Sequence, residues 1–172
     1  MLLYETLTPY ERTLIMGGFE GMAQDYQNAL VNAISRTTGK AVWQITPDDI
    51  LNYHKNLKIT MQNEFYEIDV ASGFTAPNGH KYRSNADDQT NFIGKMVYLL
   101  MNPDVTEVSW KAEDVDDYIV HTKDEWIQVA LEGFAFKEAQ LAKFHEKTKA
   151  IKNAKTHAEI VAISWSGTAP NK

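Results

Sequence analysis

Residues 73–92, GFTAPNGHKYRSNADDQTNF, bring together His80, Lys81, Arg83 and the adjacent carboxylates Asp87 and Asp88. A histidine beside paired carboxylates has the components of general acid/base chemistry, so a small hydrolase built on His80, Asp87 and Asp88 is one reading of the stretch. A structural reading competes with it. Asn78-Gly79 suits a tight hairpin turn, and Ser84-x-x-Asp87 has the form of a helix cap whose first-turn aspartates answer the positive end of the helix. The second reading is preferred, with His80 and Lys81 left exposed as a protein-contact surface.

The other reactive side chains form no recognised constellation. Histidines 54, 80, 121, 145 and 157 never fall at the i, i+4 spacing that places two imidazoles on one helix face, and H-E-x-x-H is absent. His54 reads as a packing residue, and His121 and His157 as local hydrogen-bond partners. The acidic run at residues 113–117 lacks the alternating ligands of a calcium loop and reads as a solvated hairpin turn. No G-x-S-x-G or phosphate-binding glycine loop occurs; Gly17, Gly18 and Gly21 follow a helix start and lack the lysine. No catalytic residue, metal, cofactor or small-molecule substrate is therefore expected.

Bulk composition limits the remaining options. Seventeen Lys and Arg against 23 Asp and Glu give the 172-residue chain a net charge of −6, which disfavours a nucleic-acid partner held by phosphate neutralisation. The chain has no cysteine, so neither a disulfide nor a thiolate site can form. The N-terminus has no signal-peptide pattern, and the longest apolar run, residues 96–101, falls short of the roughly twenty residues needed to cross a bilayer.

The elements that must position these groups are mainly helical. Thr8-Pro9-x-Glu11 starts a helix carrying the apolar stripe Ile15, Phe19, Met22 and Tyr26 and ending near Gly39. Those four stripe residues are candidates for contact with another chain. Thr46-Pro47 starts a second helix that fades near Phe65. The Ser84 signal starts a third, apolar on most of its circumference, which Asn102-Pro103 stops. Alternation over residues 105–121 predicts a hairpin, Thr122-x-x-Glu125 a long helix with a seven-residue repeat, and Thr156-x-x-Glu159 a short last helix. The fold class expected is α+β, mainly helical, with about five helices and one or two small antiparallel β-hairpins. Trp110, Trp126, Phe134 and Trp165 are expected to be largely buried.

A resemblance is carried by Phe74-Thr-Ala with Tyr82, by Gln89 and Ile93-Gly94, by Val108-Ser-Trp110, by the Thr122 cap and by the closing IKNAKTHAEIVAISW of residues 151–165. These features resemble an uncharacterised domain family of tailed-bacteriophage proteins, found in tail-fibre and tail-fibre-assembly proteins. Composition marks a polar tail at 166–172, and an N-terminal helical segment at 1–64, for assembly or attachment, lies outside the resemblance. The resemblance covers residues of about 65–165 and implies a tail-associated α+β domain there. It further implies a virion structural protein at the tail, baseplate or fibre attachment, with a fibre-assembly chaperone as the alternative. The expected partners are other tail, baseplate or fibre proteins and further copies of the chain, with no nucleic acid or membrane. The expected location is the virion tail, with the host cytoplasm during assembly. The family supplies no catalytic residues to carry over.

Overall fold

A computed structural model describes residues 3–165, so the polar tail expected at 166–172 lies outside the described residues. The elements are α1 (Leu3–Thr6), α2 (Pro9–Gly17), α3 (Gln24–Thr38), a 3-10 turn (Val42–Gln44), α4 (Pro47–Ser72), β1 (Phe74–Thr75), β2 (Lys81–Tyr82), α5 (Ala86–Met101), β3 (Glu107–Lys111), β4 (Tyr118–Thr122), α6 (Lys123–Asn153) and α7 (His157–Ala162). The fold is a mainly helical α+β, with two two-stranded antiparallel sheets, β1-β2 and β3-β4, among the described residues. The chain divides into two compact units. Unit 1 joins the residues up to Phe65 to those from Phe144 onward, and unit 2 is Tyr66–Lys143. The part of α6 from Phe144 on and all of α7 therefore group with the N-terminal residues, whereas the sequence reading assigned them to the 65–165 segment.

In unit 1, α2 begins where expected. Thr8 Oγ1 accepts the backbone N–H of Glu11, and the Glu11 carboxylate accepts the Thr8 backbone N–H at 2.8 Å, satisfying two donors that the helix start would otherwise leave free. The single helix expected from Thr8 to Gly39 is broken, however. Gly18 takes φ 76°, a left-handed value open to glycine, and ends α2; the chain re-enters a helix at Gln24. A Cβ at Gly18 would also stand 3.0 Å from His157 Cβ, so α7 packs tightly onto this glycine. Leu14, Met22, Leu30, Ile34 and Ile50 form the main core, and Leu7, Ile15 and Met61 a smaller one. A Thr46–Asp49 capping box starts α4, which runs to Ser72, beyond the expected end near Phe65.

In unit 2, a core of Phe74, Tyr82, Phe92, Leu99, Val108, Trp126, Val129 and Ala130 joins the hairpins to α5 and α6. Phe92, Trp110 and Trp126 form an aromatic stack with centroids 5.0 to 5.8 Å apart, and Trp110 meets Trp126 edge-on. The expected hairpin over 105–121 is present, with Val108 opposite His121 and Trp110 opposite Ile119. In the β1-β2 turn only Gly79 has a positive φ, 85°; Asn78 instead accepts the His80 backbone N–H, an Asx-type bond that leaves its own backbone on the ordinary side. The cap of α5 is shifted by one residue. Asn85 Oδ1 accepts the Asp88 N–H, while Ser84 is buried and donates its hydroxyl to the Val70 carbonyl. Of the expected core tryptophans, Trp126 and Trp165 are buried, whereas Trp110 and Phe134 are half-buried.

Candidate functional site

The reactive groups of residues 73–92 separate into two arrangements in unit 2. His80 Nδ1 lies 2.9 Å from Asp114 Oδ2, and Asp114 Oδ1 accepts the Lys81 backbone N–H at 2.9 Å. The Lys81 amide first, and His80 second, hold the Asp114 carboxyl below its ordinary value. Asp88 instead pairs with Arg83, whose Nε also stands 3.6 Å from Glu113 Oε1. Asp87 is exposed. His80 thus has Asp114 as its carboxylate partner, a residue outside the His80, Asp87 and Asp88 trio. The turn at 113–117 is also more than a solvated loop, because Glu113 and Asp114 tie it to β2.

Between α5 and the β3-β4 hairpin lies an open cleft of about 900 Å³. Phe92 and Trp110 form its apolar part, and Tyr98 on α5 and Tyr118 on β4 stand exposed on its walls. Arg83, Lys95 and Lys111 supply its cations, and Asp88 and Glu113 its carboxylates. Each cation is already engaged. Arg83 sits by the two carboxylates, Lys95 Nζ lies 5.1 Å from the Tyr98 ring centroid, and Lys111 Nζ donates to the Val115 carbonyl at 2.6 Å. Asp88 Oδ2 is buried and has no hydrogen-bond donor, since Arg83 Nε approaches to 3.4 Å without bonding alignment.

A second feature is the outer face of α5. Leu100 and Met101 are 79% and 77% exposed, and Ile93 and Val97 about half. Their spacing of 93, 97, 100 and 101 places them on one stripe, beside the buried stripe of Phe92 and Leu99. The sequence makes this helix apolar on most of its circumference, but only the side carrying Phe92, Met96 and Leu99 packs into the core. Conversely, of the stripe proposed for contact, Ile15 and Met22 are buried in unit 1, and Phe19 and Tyr26 pack partly against the Leu14–Leu30 core. They face their own unit because the break at Gly18 folds α2 and α3 onto each other. Trp43, 83% exposed in the 3-10 turn, is a surface aromatic that no cap or stripe in the sequence singles out.

Unit 1 also buries a polar cluster. His54 and His157 are both buried, stacked at 5.2 Å, with their Nδ1 atoms 2.9 Å apart. One turn further along α4 is Lys58, and another turn on is Gln62, both buried. Burial first, then the charge of His157 and of Lys58, pushes His54 down to about 3, and burial lowers His157 and Lys58. A second such pair, Tyr53 donating to Glu11 at 2.5 Å, raises the phenol through burial and the adjacent carboxylate. Among the described residues no group of three or more His, Asp or Glu side chains is placed to hold a metal ion, and no helix is long and apolar enough to cross a membrane.

Fold and surface together define a mainly helical α+β protein with a polar-aromatic cleft and an apolar helix face in its second unit. The family model described as "Domain of unknown function (DUF4376)" matches residues 53–164, and the chain belongs to that family. No curated protein and no solved structure matches the chain.

Proposed function

We propose that this chain is a non-catalytic structural protein of a tailed-bacteriophage particle, at the tail, baseplate or fibre attachment, working through protein contacts in several copies. The observation that carries the contact role is the exposed stripe Ile93, Val97, Leu100 and Met101, an apolar helix face beside the buried stripe of Phe92 and Leu99. Such a face is costly in water and is relieved by covering it with another apolar surface. Lys81, exposed on β2, and the half-buried His80, paired with Asp114, lie in the same unit and are offered as further polar contacts. The setting in a phage particle rests on the resemblance of residues 65–165 to tail-associated domains. On this reading the protein works in the virion tail, and in the host cytoplasm during assembly.

Quantitative mass spectrometry of purified particles tests the reading. Stoichiometric presence beside the tail proteins is the expected result, and absence overturns it. If the chain is absent yet its co-expression raises the yield of soluble, assembled fibre, it is an assembly chaperone.

A further inference from the structure

We infer that the cleft between α5 and the β3-β4 hairpin is a binding site for a neutral saccharide, a ligand class independent of the protein contacts proposed above. The ligand chemistry follows from what the walls offer. Trp110, Tyr98 and Tyr118 present aromatic surface from both sides, and a pyranose ring has an apolar C–H face of matching size. On the same lining, Arg83, with its Nε 3.4 Å from Asp88 Oδ2 and 3.6 Å from Glu113 Oε1, puts planar donors beside two carboxylates, the groups that pair with adjacent hydroxyls. Asp88 Oδ2 is buried against Arg83, and the Asp88 side chain, 25% exposed on the cleft wall, offers its remaining acceptor capacity to a ligand hydroxyl.

Other ligand classes fit less well. A phosphate or nucleotide needs converging free cations, but Arg83, Lys95 and Lys111 are each engaged and two carboxylates share the wall. A purely apolar ligand would strip water from Asp88 and Glu113 without replacing their hydrogen bonds. A cation would meet three positive side chains. The volume of about 900 Å³ accommodates a short oligosaccharide rather than a single small ion.

The test uses the full chain with chitotetraose, maltotetraose and cellotetraose, and then a neutral-glycan array, read by saturation-transfer NMR and by amide shifts. At least one saccharide should receive saturation on its ring C–H groups and shift the Thr90, Asn91 and Tyr98 amides and the Trp110 indole. Tyr98→Ala, Tyr118→Ala and Asp88→Asn should each weaken that binding by about tenfold or more, the loss expected for one stacking contact or one charge-assisted hydrogen bond. Tyr98 and Tyr118 are exposed, so their variants should keep the wild-type amide spectrum elsewhere. Lys149→Ala in unit 1 should bind as the parent does. No binding by any neutral glycan, binding unaffected by all three cleft variants, or the same amides shifting with ATP or a heparin fragment instead would overturn the assignment. Loss of the α5 stripe through Leu100→Ser tests the protein-contact reading separately, because Leu100 does not line the cleft.

Discussion

Lowering the pH from 7 to 5 is expected to weaken unit 1 through His54 and His157. Their two Nδ1 atoms, 2.9 Å apart, require one shared proton. Placing it on His54 leaves the buried His54 Nε2 as an unused acceptor, whereas the reverse tautomer leaves it a buried, unpaired N–H donor, the costlier state. Either way both rings are neutral in the folded state. The groups facing them are Lys58 on α4, which opposes a further positive charge, and Glu20, which favours one on His157. A histidine whose folded value lies below its unfolded value contributes full stability above the unfolded value and loses it as the pH falls. With His54 at about 3 against 6.5 unfolded, the loss is about 2 kcal/mol at pH 5 and about 4 kcal/mol at pH 3. The carboxylates held low by their partners, such as Glu11 and Asp49, start from unfolded values of 4.5 and 3.8 and so act mainly below this window. Urea denaturation followed by far-ultraviolet circular dichroism at pH 7, 6 and 5 measures the slope, with amide exchange at Ile160 reporting on α7. His54→Gln should flatten the slope by about one proton. A parent stability that does not fall between pH 7 and 5, or a His54→Gln slope equal to the parent's, would refute the neutral-pair reasoning.

The remaining expectations concern packing, capping and association. A Cβ at Gly133 would meet Phe74 Cε1 at 2.9 Å, so Gly133→Ala should push that ring aside and destabilise unit 2 by about 1–3 kcal/mol in a denaturant titration. Thr156 Oγ1 accepts the Glu159 N–H at the start of α7; Thr156→Ala should cost about 1 kcal/mol and speed amide exchange there first. Trp126→Ala, at a fully buried position beneath Phe92 and Trp110, should cost about 3–5 kcal/mol and abolish most of the near-ultraviolet dichroism from that stack. Leu100→Ser with Met101→Ser should change stability by less than about 0.5 kcal/mol yet reduce self-association or incorporation into particles, measured by light scattering and mass spectrometry.

Local chemistry was legible in the residues. Threonine followed three positions on by Glu or Asp marked the starts of α2, α4, α6 and α7, because a helix cap is made within a few residues and needs no distant partner. Alternation followed by a polar turn marked the β3-β4 hairpin, whose two strands are joined by a short connection and so pair close by in the chain, and the mainly helical α+β class followed from those elements together. What the residues alone left undecided depends on contacts between distant parts of the chain. The stripe Ile15, Phe19, Met22 and Tyr26 read as one long helical face, but Gly18 bends the chain there and α7 packs on that glycine. The apolar residues of α5 run round most of its circumference, yet its neighbours bury Phe92 and Leu99 and cover Met96 only in part. Likewise, periodicity could place His54 on a stripe, but its partner His157 is 103 residues away, and only the folded chain brings the two rings together. The cleft belongs to the same class, since Tyr98 and Tyr118 become its two walls through the packing of a helix beside a hairpin. Sequence thus determined the elements and their caps, where the interacting atoms are neighbours along the chain. Tertiary structure decided which faces are covered, which charges are paired and where a ligand can enter, because those energies arise between residues that only folding makes adjacent.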